Sequence, residues 1–317
     1  MERYLGIDTS NYTTSLAIYD AETGAVVSQK QLLPVREGEM GLRQSDAVFH
    51  HTRQLPELTE RLCGESPLEG IAGIGVSCRP MERDGSYMPC FLAGEGMARE
   101  FSAVWRIPLY PLTHQQGHIA AACLGAGCTA LLDEPFLAFH VSGGTTDALL
   151  IHPREDGGIR CEAVGGSLDL KAGQLVDRVG AMLGLPFPAG PELDKLAAAS
   201  TAEFRIRPSL EGCSCHLSGA ENQCRAMAEK GAAPADTARF CLLHIEAALC
   251  GMTDRLREQY GELPLVFAGG VMSNSLLRAD LTARYSAHFA PPSYSADNAM
   301  GVAYLAARIA KRRSTHG

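Results

Sequence analysis

The feature that most constrains this chain is a strand–turn–strand unit that occurs twice. Residues 3–8 (RYLGID) and 13–19 (TTSLAIY) read as two apolar strands joined by a polar turn. Residues 136–142 (FLAFHVS) and 146–151 (TDALLI) repeat that plan around Gly143, Gly144 and Thr145. A repeat at this separation predicts duplicated lobes, each opening with a hairpin. Helical stretches mixed among the strands place the chain in the α/β class. The expected division is residues 1–112 plus 298–317 in one lobe and 113–297 in the other. No low-complexity linker separates them, so a central cleft is expected.

Between the hairpins, residues 44–63 have helical spacing, 71–77 (IAGIGVS) read as a buried strand, and 90–104 as a helix with small residues on one face. A helix is expected from His114 to Leu124. In the second half, helices are expected over 168–185, stopping at Pro186, and over 234–259, 273–285 and 296–313. Residues 263–271 (LPLVFAGGV) read as a buried strand ending in a Gly-Gly turn. The 317 residues are 46% hydrophobic and 20% charged, enough to build a sizeable core. The formal net charge of −8 argues against a broad nucleic-acid surface, which needs clustered Lys and Arg. No apolar run reaches membrane-spanning length. Eleven Cys, an odd number, with no signal peptide at the start, predict reduced thiols and a cytoplasmic location.

Two turns and one strand end suit a nucleotide. Asp8, Thr9 and Ser10 offer hydroxyls and turn amides to a phosphate. Ser142, Gly143, Gly144 and Thr145 do the same, and the glycines let the backbone approach an anion with no Cβ in the way. Either turn alone is an ordinary β-turn; their duplication gives them weight. The Gly269-Gly270 turn leads into a helix near Ser273, where ligands of open α/β folds sit, so Asn274 is placed to read a base or ribose. Asp177 and Asp194 are either solvated acids or acceptors for ribose hydroxyls. His114 and His118, four residues apart, share one helix face at metal-ligand spacing. Asp297 is the best candidate for a third ligand, or is a simple helix cap, as Ser295 could be. Two imidazoles and a carboxylate suit iron or zinc. Gln115 cannot act as the base of a zinc protease. Cys213, Cys215, His216 and Cys224 match no familiar zinc spacing. The basic run at 308–313 reads as a helix end.

Taken in order, the first hairpin, HQQGH, VSGG, GLPFPAGP, GGVMSN and ADNA resemble the TsaD family, the tRNA threonylcarbamoyladenosine transferases once labelled glycoproteases. The resemblance runs from Gly6 to Ala306. It implies the actin-like ATPase (ASKHA) fold, with His114, His118 and Asp297 as ligands of one divalent metal, iron or zinc. It also implies that Val141–Thr145 is the phosphate loop for ATP, AMP or an adenylate, and that Asp177, Gly190, Asp194 and Asn274 contact the nucleotide's ribose and base. The activity implied is metal-assisted transfer of a threonylcarbamoyl group from threonylcarbamoyl-adenylate to the adenosine next to the anticodon of tRNA. The partners implied are tRNA and small proteins of the same pathway or a second copy of the chain, with no membrane.

The sequence departs from the family at several positions. Thr145 stands where the family's VSGGHT has His, and Gln116 where HMEGH has Glu. Gly166, Leu170 and Gln174 replace acids, while Asp177 is kept. Glu221 stands where a Lys is expected, which disfavours phosphate contacts. These departures keep open a paralogue that carries a carbamoyl-type group to another acceptor, and a non-catalytic subunit. No Ser-His-Asp or Cys-His constellation supports a protease.

Overall fold

The computed structural model describes residues 2–10, 12–34, 42–291, 294 and 298–316. The chain divides into two compact units: Met1–Glu134 with His152–Cys161 and Ser293–Gly317, and Pro135–Ile151 with Glu162–Pro292. This division differs from the one expected at 112/113. The helix from His114 and the segment after it belong with the first unit, and residues 152–161, which follow the second hairpin, are assigned there too.

The first unit contains β1 (Arg3–Asp8), β2 (Thr13–Asp20), β3 (Val26–Leu32), α1 (Gln44–Glu65), β4 (Ile71–Arg79), α2 (Phe91–Trp105), β5 (Leu109–Thr113) and α3 (His114–Gly125). Its sheet order is β3-β2-β1-β4-β5, with β1, β2 and β3 antiparallel in turn and β4 and β5 added in parallel. Strand alternation sends Leu5 and Ile7 of β1 and Ile74 and Val76 of β4 into a core with Leu55, Leu58 and Leu62 of α1.

The second unit's strands and helices are β6 (Phe136–Val141), β7 (Thr146–Pro153), β8 (Ile159–Gly166), α4 (Ala172–Met182), α5 (Gly190–Ala198), β9 (Ser209–Glu211), β10 (Ser214–His216), α6 (Ser218–Glu229), α7 (Pro234–Tyr260), β11 (Leu265–Ala268), α8 (Ser275–Tyr285) and β12 (His288–Phe289). Its sheet order, β8-β7-β6-β11-β12, is that of the first sheet with each strand replaced by its counterpart. β6 and β7 are antiparallel, and β11 and β12 extend the sheet in parallel. The duplication read from the two hairpins is therefore a duplication of whole sheets. Phe139 and Phe267 stack at 4.9 Å between ring centroids, in a core shared with Val176 and Val179 of α4 and Ile245 and Leu249 of α7.

The last helix, α9 (Ala299–His316), returns to the first unit. It lies against β1 and β4 through two glycines on the face opposite Leu5 and Ile7. A Cβ on Gly6 would strike the Ala299 carbonyl, and one on Gly75 would meet Val302. Gly301 of α9 in turn packs on the Gly117 carbonyl of α3 with no room for a methyl. These three contacts fix α3, and with it both histidines, against the strand that ends at Asp8.

Candidate functional site

In the first unit, β1 ends at Asp8, whose side chain is 1% exposed. One carboxylate oxygen accepts from the Ser10 amide at 3.0 Å and the other lies 2.8 Å from His114 Nδ1. His114 opens α3 under a capping box, in which Thr113 Oγ1 accepts from the Gln116 amide and Gln116 Oε1 accepts from the Thr113 amide. His118 follows one turn later. Its ring centroid is 4.3 Å from that of His114, edge to face. The Asn298 amide nitrogen also lies 3.0 Å from His114 Nδ1, and Asn298 Oδ1 is buried with no partner.

The geometry assigns the turn residues differently from a phosphate nest. Asp8 holds an imidazole. Thr9 is committed to α2: its hydroxyl donates to the Cys90 carbonyl at 3.0 Å and accepts from the Gly94 amide at 3.1 Å. Ser10 is buried, and its amide is taken by Asp8.

The residues suit a divalent metal. A buried carboxylate that accepts from Nδ1–H fixes the ring and leaves the Nε2 lone pair as the ligating atom, the usual outer-shell device for a metal-bound histidine. The two imidazoles are the borderline donors that iron and zinc take. Asp297 and Ser295 lie outside the described residues, and among the described residues no three His, Cys, Asp or Glu side chains are grouped to hold an ion. That applies also to Cys213, Cys215, His216 and Cys224. Cys215 and Cys224 are buried in the apolar core, together with Cys241.

Nearby, Thr14, His51 and Gln54 form a buried polar chain, with Thr14 Oγ1 2.8 Å from His51 Nδ1 and 2.6 Å from Gln54 Oε1. Burial outweighs the attraction of Asp8 and, with His50 acting in the same direction as burial, pushes the His51 imidazole down to about 4. It is neutral in the fold.

In the second unit, the Ser142–Thr145 turn is closed by the Ser142 amide donating to the Thr145 carbonyl at 2.7 Å. It rests on the N-terminus of α4. The Gly173 amide donates to the Ser142 carbonyl at 3.1 Å, the Ala172 amide donates to Thr146 Oγ1 at 2.8 Å, and a Cβ on Gly173 would overlap Gly143. Gly143 and Gly144 themselves are exposed, and added Cβ atoms would meet nothing within 4 Å. The turn is held rigid from behind and open in front, at the positive end of a helix dipole.

Three of the other predicted nucleotide contacts of this unit are hydrogen-bonded within the fold. Asp177 Oδ1 accepts from the Ala189 amide at 2.9 Å, next to Gly190 at the start of α5. Asp194 takes both the amide and the hydroxyl of Ser275, at 3.0 and 2.9 Å. Asn274 caps α8 by accepting from the Leu277 amide. The Gly269 backbone, at φ 104°, packs on the Val141 carbonyl, so β11 turns beside the end of β6. The sequence reading missed Asn298 and the role of Asp8 toward His114. The place of Asn298 within the ADNA motif itself was the signal for the first, and nothing local signals the second.

Two copies of one mixed sheet, a glycine turn on a helix N-terminus and a second β-strand end beside it define a protein of the actin-like ATPase fold. HypF from T. kodakarensis shares it with a TM-score of 0.60 at 14% identity, over 98% of this chain and 48% of that one. Full-length HypF in a phosphate- and nucleotide-bound form matches at 0.57 and 14%, over 100% and 56%. Component A of the (R)-2-hydroxyglutaryl-CoA dehydratase of Acidaminococcus fermentans matches at 0.55 and 16%, over 98% and 100%. At such identities these likenesses concern the fold alone. The chain belongs to the TsaD family, described as tRNA N6-adenosine threonylcarbamoyltransferase, whose model matches residues 27–304. Among the described residues no helix is long and apolar enough to cross a membrane.

Proposed function

We propose that this chain transfers a threonylcarbamoyl group from threonylcarbamoyl-adenylate to the exocyclic amine of the adenosine beside the anticodon of tRNA. The observation that carries the reading is the open Ser142–Thr145 turn fixed on the N-terminus of α4 in a member of this family. Its amides hold the adenylate phosphate, and because Gly173 and Thr146 brace the turn, little reorganisation is needed as charge develops on the leaving group. Asp177, Gly190, Asp194 and Asn274 orient the ribose and base. The amine nitrogen bonds to the carbamoyl carbon, the carbon–oxygen bond to phosphate breaks, AMP leaves with the electron pair, and the amine proton passes to solvent. No side-chain nucleophile is required.

His114 and His118, with Asp297, would hold a divalent iron or zinc ion, and Asp8 would fix the His114 ring. When bound, the ion supplies Lewis-acid charge to substrate oxygens. tRNA and a small partner protein or second copy complete the proposed assembly. Purified protein given threonylcarbamoyl-adenylate and unmodified tRNA should form the modified adenosine; no product, with partner proteins supplied, would overturn the reading.

A second reading has one observation in its favour. Glu221, at the position where the family carries Lys, is paired with Arg178 at 2.9 Å and Arg225 at 3.1 Å, so local positive charge is neutralised rather than offered to phosphates. A carbamoyl-type transfer to a different acceptor would release AMP from the adenylate without tRNA product, and a non-catalytic subunit would release none.

A further inference from the structure

The first unit holds a cavity of about 400 Å³ between the ends of β4 and β5, the start of α3 and the basic end of α9. That volume is at the small end of the range for ligand pockets, about 300–1,000 Å³. Asp8, His114 and His118 do not line it. Its walls present charges whose partners are incomplete. Glu82 Oε1 receives Arg154 at 3.2 Å, but Glu82 Oε2 is buried with no hydrogen-bond partner. Arg154 also reaches Asp156 at 3.7 Å. Arg313 lies over the Tyr110 ring at 5.3 Å and makes no ion pair among the described residues, and Arg79 makes neither ion pair nor hydrogen bond there.

A buried carboxylate oxygen without a donor is costly, and an N–H⁺ group is the donor that suits it best. Two guanidiniums with no acid partner want a carboxylate or phosphate. A simple anion would satisfy the arginines and face Glu82 as a like charge. A simple amine would satisfy Glu82 and face the arginines. One small molecule that carries both groups satisfies the whole wall.

We propose that this cavity is a binding site for a free α-amino acid, its carboxylate on Arg79 and Arg313 and its ammonium on Glu82 Oε2. The floor includes Thr113 and Gln116, whose reciprocal bonds cap the helix that carries His114, and Gln116 Nε2 already donates to the Ile159 carbonyl at 2.6 Å. Thr113 and Gln116 are thus fixed in advance, and the one adjustment the ligand asks for is a turn of the Glu82 carboxyl that brings its covered Oε2 to the cavity.

Calorimetric titration of the full chain with each common L-amino acid tests this. At least one should saturate a single site, and its N-acetyl and carboxamide derivatives should each bind roughly tenfold more weakly or worse. Arg79→Gln and Glu82→Gln should weaken binding by a similar factor, while His114→Ala leaves it unchanged. Among the described residues the Arg79 side chain makes no hydrogen bond or ion pair, so its loss reads on the ligand and not on folding. The proposal falls if no amino acid saturates below about 10 mM. It falls equally if the best ligand is indifferent to Arg79→Gln, if inorganic phosphate displaces it with equal affinity, or if His114→Ala removes the binding.

Discussion

The two hairpin turns come from the same plan and do opposite things with it. The first, after β1, turns inward: Asp8 is buried against an imidazole, Thr9 is bonded on both sides to α2, and its polar groups are used within the protein. The second, after β6, turns outward: it is braced on α4 from behind, and its two glycines face open space. Each sheet presents a strand end of its own kind, one closed around a buried carboxylate and the other left open as a cradle. Duplication supplied the scaffold, and a few side chains at the turns divided the labour.

The largest effect should come from the inward site. His114→Ala removes an imidazole proposed as a metal ligand, which is 23% exposed and carries little of the core. Metal content measured by mass spectrometry should drop to background and the transfer rate by about 10³-fold, and the melting temperature should fall as well, because the buried Asp8 carboxylate loses its partner. Retention of metal by this variant would mean that the imidazole pair is only a packing feature. Asp8→Asn should be milder. It keeps the shape but cannot fix the ring by charge, and a weakening of metal affinity of about 10–100-fold is expected. Equal metal affinity in the two proteins would show that Asn298 alone positions the ring.

Much of this division could be read in the sequence, and the failures have physical causes. The apolar strands and the long helices declared themselves because their periodicity is strong. β3 did not, since VVSQKQL is polar and none of its residues is buried. The helix expected from residue 168 begins instead at Ala172. Asp169 holds the preceding segment elsewhere, accepting from the Leu170 and Leu217 amides and from Ser218. Although burial opposes it, those bonds from Ser218, Leu217 and Leu170 hold the Asp169 carboxyl down to about 2. The imidazole pair was legible from i, i+4 spacing alone. Its carboxylate was not, because Asp8 and His114 are 106 residues apart and only the sheet brings them together.

The outward turn makes a finer test. Gly144→Val adds a side chain whose Cβ meets no protein atom within 4 Å, so stability should stay within about 0.5 kcal/mol. If the turn receives a phosphate, the same side chain blocks the backbone's approach, and affinity for AMP should weaken about tenfold. Unchanged AMP binding with unchanged stability would remove this turn from the nucleotide site. Gly173→Ala, behind the turn, should do the reverse, costing about 1–3 kcal/mol through overlap with Gly143.

The smallest effect concerns the buried chain behind the inward turn. His51 is neutral in the fold, its imidazole pushed down to about 4 by burial, which the Asp8 charge only partly offsets and His50 reinforces. In the unfolded chain the same group takes a proton near pH 6.5. The unfolded state therefore binds more protons below that point, and stability falls as pH drops from about 6.5 toward 4. Between pH 7.5 and 6 this one group should cost about 0.8 kcal/mol, seen as a lower melting temperature at the acid end. His51→Gln, which keeps a donor for Thr14 but cannot titrate, should flatten that part of the curve. An equal slope in both proteins would place the acid sensitivity elsewhere and leave the inward turn indifferent to pH.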